Sequence, residues 1–128
     1  MKYLLAWMTL ILSTAYAAEA EALILELELR INGTVVSQPR VVSLSGETAS
    51  IETVSEEGDG VFIEVTPTLR ENDQVHMGFV IARVEDTKKI ILSEPQLVSL
   101  LGQPAEITEG RRGSPTVSLA VTATRKTH

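Results

Sequence analysis

The chain contains no cysteine. Small exported domains commonly rely on disulfides, so this one must be held by its apolar core alone. The absence also excludes thiolate metal centres, a cysteine nucleophile and a lipid anchor on a cysteine beside a leader-cleavage site. Histidine is almost as scarce: only His76 and His128 occur, and an isolated pair gives no metal-ligand spacing. Beyond residue 17 the only aromatic residues are Phe62 and Phe79, too few for a platform that stacks bases or sugars. Basic residues are outnumbered 11 to 17, for a net charge of −6. A chain of that sign is repelled by phosphates, which argues against nucleic acid as a partner. Beyond the first 17 residues no apolar run approaches the about 20 residues that cross a bilayer, so no transmembrane segment is expected in the mature chain.

What is present begins with a leader. Lys2 supplies a positive start, Tyr3 to Leu12 is an apolar run of about ten residues, and Ser13-Thr14-Ala15-Tyr16-Ala17 ends in small-x-small spacing. That order is the mark of a secretory signal peptide. Residues 1–17 are therefore read as signal peptide, cleaved after Ala17, with cleavage after Ala20 as the fallback. The expected location is the periplasm, or the extracellular space. Residues 18–128 then form a single domain, and losing Lys2 takes the formal charge from −6 to −7.

That domain repeats itself. With a shift of 56, Ser37–Ile51 (SQPRVVSLSGETASI) falls on Ser93–Ile107 (SEPQLVSLLGQPAEI). Without a gap, Val61–Thr68 (VFIEVTPT) then falls on Val117–Thr124 (VSLAVTAT). The reading is an internal duplication, with repeats at about 18–73 and 74–128.

The strands follow from period-two alternation. Leu23, Leu25, Leu27, Leu29 and Ile31 share one face, and Glu26, Glu28 and Arg30 the other. Asn32-Gly33 is a strong two-residue hairpin turn, because both residues tolerate positive φ. A return strand is expected over about 34–44, interrupted by Pro39. Further strands are expected over 48–54 and 61–68, joined by the polar loop Ser55–Gly60. The second repeat places strands near 75–84, 89–100, 104–108 and 116–124. Its first turn, Glu85–Lys88, is expected to be looser. Arg83 falls where the shift requires Leu27, so a slip or bulge is expected there. The fold class is all-β, a duplicated four-stranded unit forming a β-sandwich, with a small closed β-barrel as the alternative.

The segments PRVVSLSGETASI (Pro39–Ile51) and GVFIEVTPTLRENDQVHMGFVIARVE (Gly60–Glu85), with ALILELEL ahead of them, carry a familiar order. Proline, apolar residues, leucine and a turn lead to alanine-x-isoleucine. An alternating strand ending in proline, a polar turn and another alternating strand follow. This resembles the conserved C-terminal β-domain of bacterial secretins, the outer-membrane channels of secretion systems and type IV pili. The resemblance covers roughly residues 22–85, and Pro95–Ile107 echoes its middle. It implies a β-module of an envelope assembly. Secretins carry a long pore-lining insertion where this chain has only Ser55–Gly60, and a glycine where Glu52 follows Ile51. The resemblance therefore extends to the module and not to the pore.

Candidate chemistry is thin. His76 alternates with Val75 and Met77 and is expected to face outward. Glu26 and Glu28 line the polar face of the first strand. Glu56, Glu57 and Asp59 crowd one loop with Gly58 and Gly60. Their oxygens are of the kind calcium takes, but the spacing is not that of an EF-hand, and a solvated turn is the plainer reading. No serine lies in a nucleophile elbow, and no glycine loop fits a nucleotide. Asn32-Gly33-Thr34 is formally a glycosylation acceptor and is read as the hairpin turn. No catalytic, cofactor-binding or metal residues are assigned, and no cofactor is expected. The expected function is a non-enzymatic periplasmic module that binds another protein, in an envelope assembly of the secretion or pilus type. The alternatives are a carrier of a small apolar ligand and an enzyme with an unrecognised carboxylate site. Sequence leaves the oligomeric state open.

N-terminal sequencing of the exported protein should begin at Ala18. Recovery of intact Met1 in the membrane fraction would replace the cleaved leader with an uncleaved anchor.

Overall fold

The alternating leucines form a ten-residue strand, β1 (Ala22–Ile31), with Leu23, Leu25, Leu27 and Leu29 buried on one face. A helix would have spread the same leucines around its circumference. A computed structural model describes residues 21–127 of the chain. The leader, its cleavage sites and His128 lie outside the described residues. Nine further strands follow β1: β2 (Thr34–Ser37), β3 (Arg40–Leu44), β4 (Ala49–Val54), β5 (Gly60–Leu69), β6 (Gln74–Glu85), β7 (Lys88–Ser93), β8 (Gln96–Leu100), β9 (Pro104–Glu109) and β10 (Val117–Arg125).

The chain is all-β, two antiparallel sheets that face each other as a sandwich and do not close into a barrel. One sheet runs β2-β1-β10-β9, with β3 beside β2 on the same edge of β1. The other runs β4-β5-β6-β7, with β8 likewise beside β7 on β6. Each sheet has five strands, where the sequence reading expected four per repeat. The difference lies at Pro39 and Pro95. Proline has no N–H to donate, so each long return strand breaks in two there. The proline carbonyls still hold the pieces in place: Pro39 O accepts from Leu27 N at 3.0 Å and Pro95 O from Phe79 N at 2.9 Å.

The two halves have matching backbone pairings. Glu26 opposes Arg40 as Gly78 opposes Gln96. Val65 opposes Phe79 as Val121 opposes Leu27. The first strands are thus offset by 52 and the later ones by 56. Phe79, not Arg83, takes the place of Leu27, and Arg83 takes that of Ile31. Both hairpins carry a bulge at the equivalent point, between Leu29 and Arg30 and between Ile81 and Ala82. The β6-β7 hairpin then adds two cross-strand pairs, Val84 with Lys89 and Glu85 with Lys88. Each of its arms is therefore two residues longer.

The halves also exchange strands. β1 to β3 belong to one sheet and β4 and β5 to the other; β6 to β8 join the second and β9 and β10 return to the first. Between the sheets lies one core, with Leu25, Leu29, Ile63, Val65, Val75, Ile81 and Leu119 essentially inaccessible. Ile51 and Ile107 are only partly buried, because β4 and β9 are edge strands.

Leu119→Ala should therefore cost about 2–5 kcal/mol, as buried large-to-small changes do. Ile51→Ala and Ile107→Ala should each cost less, about 1–2 kcal/mol, since less area returns to water. All three should shift a single denaturant transition. Two transitions moved separately by changes in the two halves would contradict the shared core.

Candidate functional site

The two ends of the sandwich differ. At one end the sheets are pinned together. The chain crosses from β3 to β4 through Ser45–Thr48, where Gly46 N donates to Pro67 O at 2.6 Å. It crosses back from β8 to β9, where Gly102 N donates to Ala123 O at 2.8 Å. Lys126 N donates to Ala22 O at 2.9 Å, and Arg125 reaches Glu21 at 3.6 Å and Asp73 at 3.3 Å. Asn72 and Asp73, in the short turn between β5 and β6, are left-handed (φ 60° and 59°).

At the other end the hairpin tips gather and the sheets part into two side openings. Asn32 and Gly33 take positive φ (52° and 83°), as their types predict. The Asn32 side-chain oxygen accepts from Thr116 N at 3.0 Å, seating this tip against the residue that leads into β10. The second tip, Asp86-Thr87, is not the looser turn expected from sequence. It is equally tight, with φ of 54° and 65°. Neither residue is glycine, so the loop before β5 braces it: Asp59 Oδ1 accepts from Asp86 N at 3.2 Å, and Gly58 O from Thr87 N at 3.2 Å. That loop also needs Gly60. A Cβ there would lie 1.8 Å from Thr53 O.

The opening between β2 and β4 is an open groove of about 770 Å³. Ile31, Val36, Val54 and Val61 give it an apolar wall, and Asp59, Arg83, Glu85 and Asp86 line its rim. Val36 is the bulged residue of β2 and is 39% exposed; Val54 is 40% exposed. Arg83 points its guanidinium to Glu85 at 3.1 Å. On the outer face nearby, Lys89 lies 4.0 Å over the Phe62 ring and 3.6 Å from Glu52, linking β7, β5 and β4.

The equivalent opening between β7 and β9 is built differently. Its volume is about 660 Å³, and Glu94, Glu109 and Arg111 are among its lining residues. Ser93 Oγ donates to Glu109 Oε1 and ties the two edges together. The corresponding residues of the first opening are Ser37 and Thr53, which have no carboxylate for such a bond. Gly110 stands where the first opening has Val54. One backbone plan thus has a polar, cross-linked mouth on one side and an apolar, open one on the other.

The residues singled out from sequence are dispersed. His76 is half-buried on β6, between Thr68 and Val98 in the ladder. Glu28 pairs with Arg30 at 3.0 Å and accepts from Gln38, and Glu26 is exposed on the same face. Glu56, Glu57 and Asp59 sit at the opposite end from His76. Among the described residues no three histidine, aspartate or glutamate side chains are grouped to hold a metal ion. Also among the described residues, no helix is long and apolar enough to cross a membrane. The mouth residues Ile31, Val36, Val54 and Arg83 were missed by reading motifs. The available signal was where the repeats disagree: Thr53 against Glu109 and Val54 against Gly110.

Thr87→Gly should stabilise the protein by about 1 kcal/mol, because a β-branched residue is strained at positive φ. Gly60→Ala should destabilise it by several times as much, since backbone must move. Chemical denaturation of both variants tests the opposed signs. No protein-family model, curated protein or solved structure matches the chain.

Proposed function

We propose that this chain is a non-enzymatic module of the bacterial periplasm that binds another protein through a free sheet edge, in an envelope assembly of the secretion or pilus type. The observation that carries the reading is the β4 edge. Ser55 N donates to Asp59 O at 2.8 Å, so the odd residues of this regular ladder turn their backbone groups toward β5. Ser50, Glu52 and Val54 turn theirs to the open edge. Among the described strands only β5 pairs with β4. Unpaired strand edges are a recurring means of protein recognition. The secretin-like order of residues 22–85 supports an envelope setting, and the leader-like start supports export. The scatter of His76 and the carboxylates supports binding over catalysis.

A second reading, a carrier of a small apolar ligand, is favoured by the groove wall of Ile31, Val36, Val54 and Val61. Such a ligand would sit in the mouth, because the space between the sheets is filled by side chains.

Affinity capture from envelope extract should retain a discrete protein, which once purified should bind at a defined stoichiometry by calorimetry. Failure of every captured protein to bind when purified, with a retained small molecule seen by native mass spectrometry, would replace the first reading with the second.

A further inference from the structure

We propose that the mouth between β2 and β4 is the docking site, and that its occupant is an extended polypeptide segment of alternating apolar residues with a lysine or arginine beside them. The segment adds to β4 as a new edge strand and lays an apolar side chain against Ile31, Val36 and Val61. This rests on the protein-binding reading above.

Three observations select this edge. The first is protection elsewhere. The β2-β3 edge is interrupted by Pro39 and the β7-β8 edge by Pro95. β9 starts at Pro104, carries Glu106 and Glu109, and is tied to β7 through Ser93. Prolines, charges and covering contacts are the usual devices against strand pairing. β4 has no proline and a single charge, Glu52, which is held by Lys89.

The second is the groove itself. Strand addition gains affinity from backbone hydrogen bonds and specificity from pockets for alternate side chains. At β4 an apolar groove of about 770 Å³ lies against the free edge, so both elements occur together.

The third is charge. The groove rim carries Asp59, Glu85 and Asp86 against one cation, Arg83, which is already bonded to Glu85. Glu56 and Glu57 stand on the same loop as Asp59. The rim therefore favours a cationic residue on the incoming strand and disfavours an acidic one.

The probe is a random twelve-residue peptide library selected on the exported protein. Enriched peptides should alternate apolar residues, lack proline in that stretch and contain lysine or arginine. Exchanging that residue for glutamate should weaken binding at least tenfold. Val54→Pro removes an edge N–H without touching the bonds to β5 and should weaken binding at least tenfold. Thr108→Pro, which removes an edge-facing N–H from β9 at the position equivalent to Glu52, should leave it unchanged. In the wild-type protein, peptide binding should slow amide exchange at Glu52 and Val54, a readout independent of how the variants fold. Enrichment of acidic peptides, equal binding by Val54→Pro, or slowed exchange at another edge would each overturn the proposal. So would a dimer of this chain that Val54→Pro abolishes, since a second copy would then be the occupant. If no peptide binds while a purified envelope protein does, strand addition at β4 fails and the protein-binding reading stands. If neither binds, both fail.

Discussion

Everything in this fold depends on strand exchange between its halves. Neither half holds a complete sheet: β1 needs β10 and β5 needs β6. Those two ladders are the longest among the described residues, and the first places Leu25, Leu27 and Leu29 against Ala123, Val121 and Leu119. A unit of about 56 residues buries too little surface to be stable easily on its own. By lending two strands to the neighbouring sheet, each half makes its core the other's. Burial of apolar area then acts over the full domain and compensates for the missing disulfides.

The same arrangement explains how a near-symmetric backbone acquires one distinctive face. Matching pairings impose matching openings on the two sides, and only the side chains distinguish them. Glu109 with Ser93 closes one. Thr53 and Val54 leave the other open and apolar. The shared pairings fix the scaffold, and two or three differing side chains decide which opening stays apolar and uncrossed. The longer β6-β7 hairpin adds a further asymmetry by carrying Glu85 and Asp86 to the rim of the open side.

Much of this was legible in the sequence for a simple reason. Strand existence follows from alternation, which is local, so Leu23 to Ile31 and Val61 to Val65 read correctly as strands with their apolar faces inward. Asn32-Gly33 announced its turn through residue type alone. The proline breaks were half visible: an interruption at Pro39 is a local fact, but that the pieces count as separate strands depends on which neighbour they face. Strand exchange was not legible, because nothing in a sequence says whether β5 pairs within its own repeat or beyond it. The offset of 52 for the first strands was hidden by the same match that revealed the offset of 56. A gapless alignment of Ser37–Ile51 on Ser93–Ile107 conceals two extra residues in each hairpin arm. The tight Asp86-Thr87 turn was misread because its support comes from Gly58 and Asp59, about thirty residues earlier. The candidate site was not legible as a motif, since it is made of ordinary valines whose meaning comes from an unpaired edge beside them.

The pairing of Leu23 with Arg125 has a kinetic consequence. β1 is made first and β10 last, yet they are neighbours in the centre of one sheet. Contacts so distant along the chain are slow to form, because loop closure must precede any reward from burial. As the chain emerges during synthesis, β1 is in position early, with β2 and β3 on one flank and nothing on the other. The second flank stays open until β10 has followed. Completion of this sheet therefore waits for β10, whereas the sheet of β4 to β8 needs no strand that comes after β8.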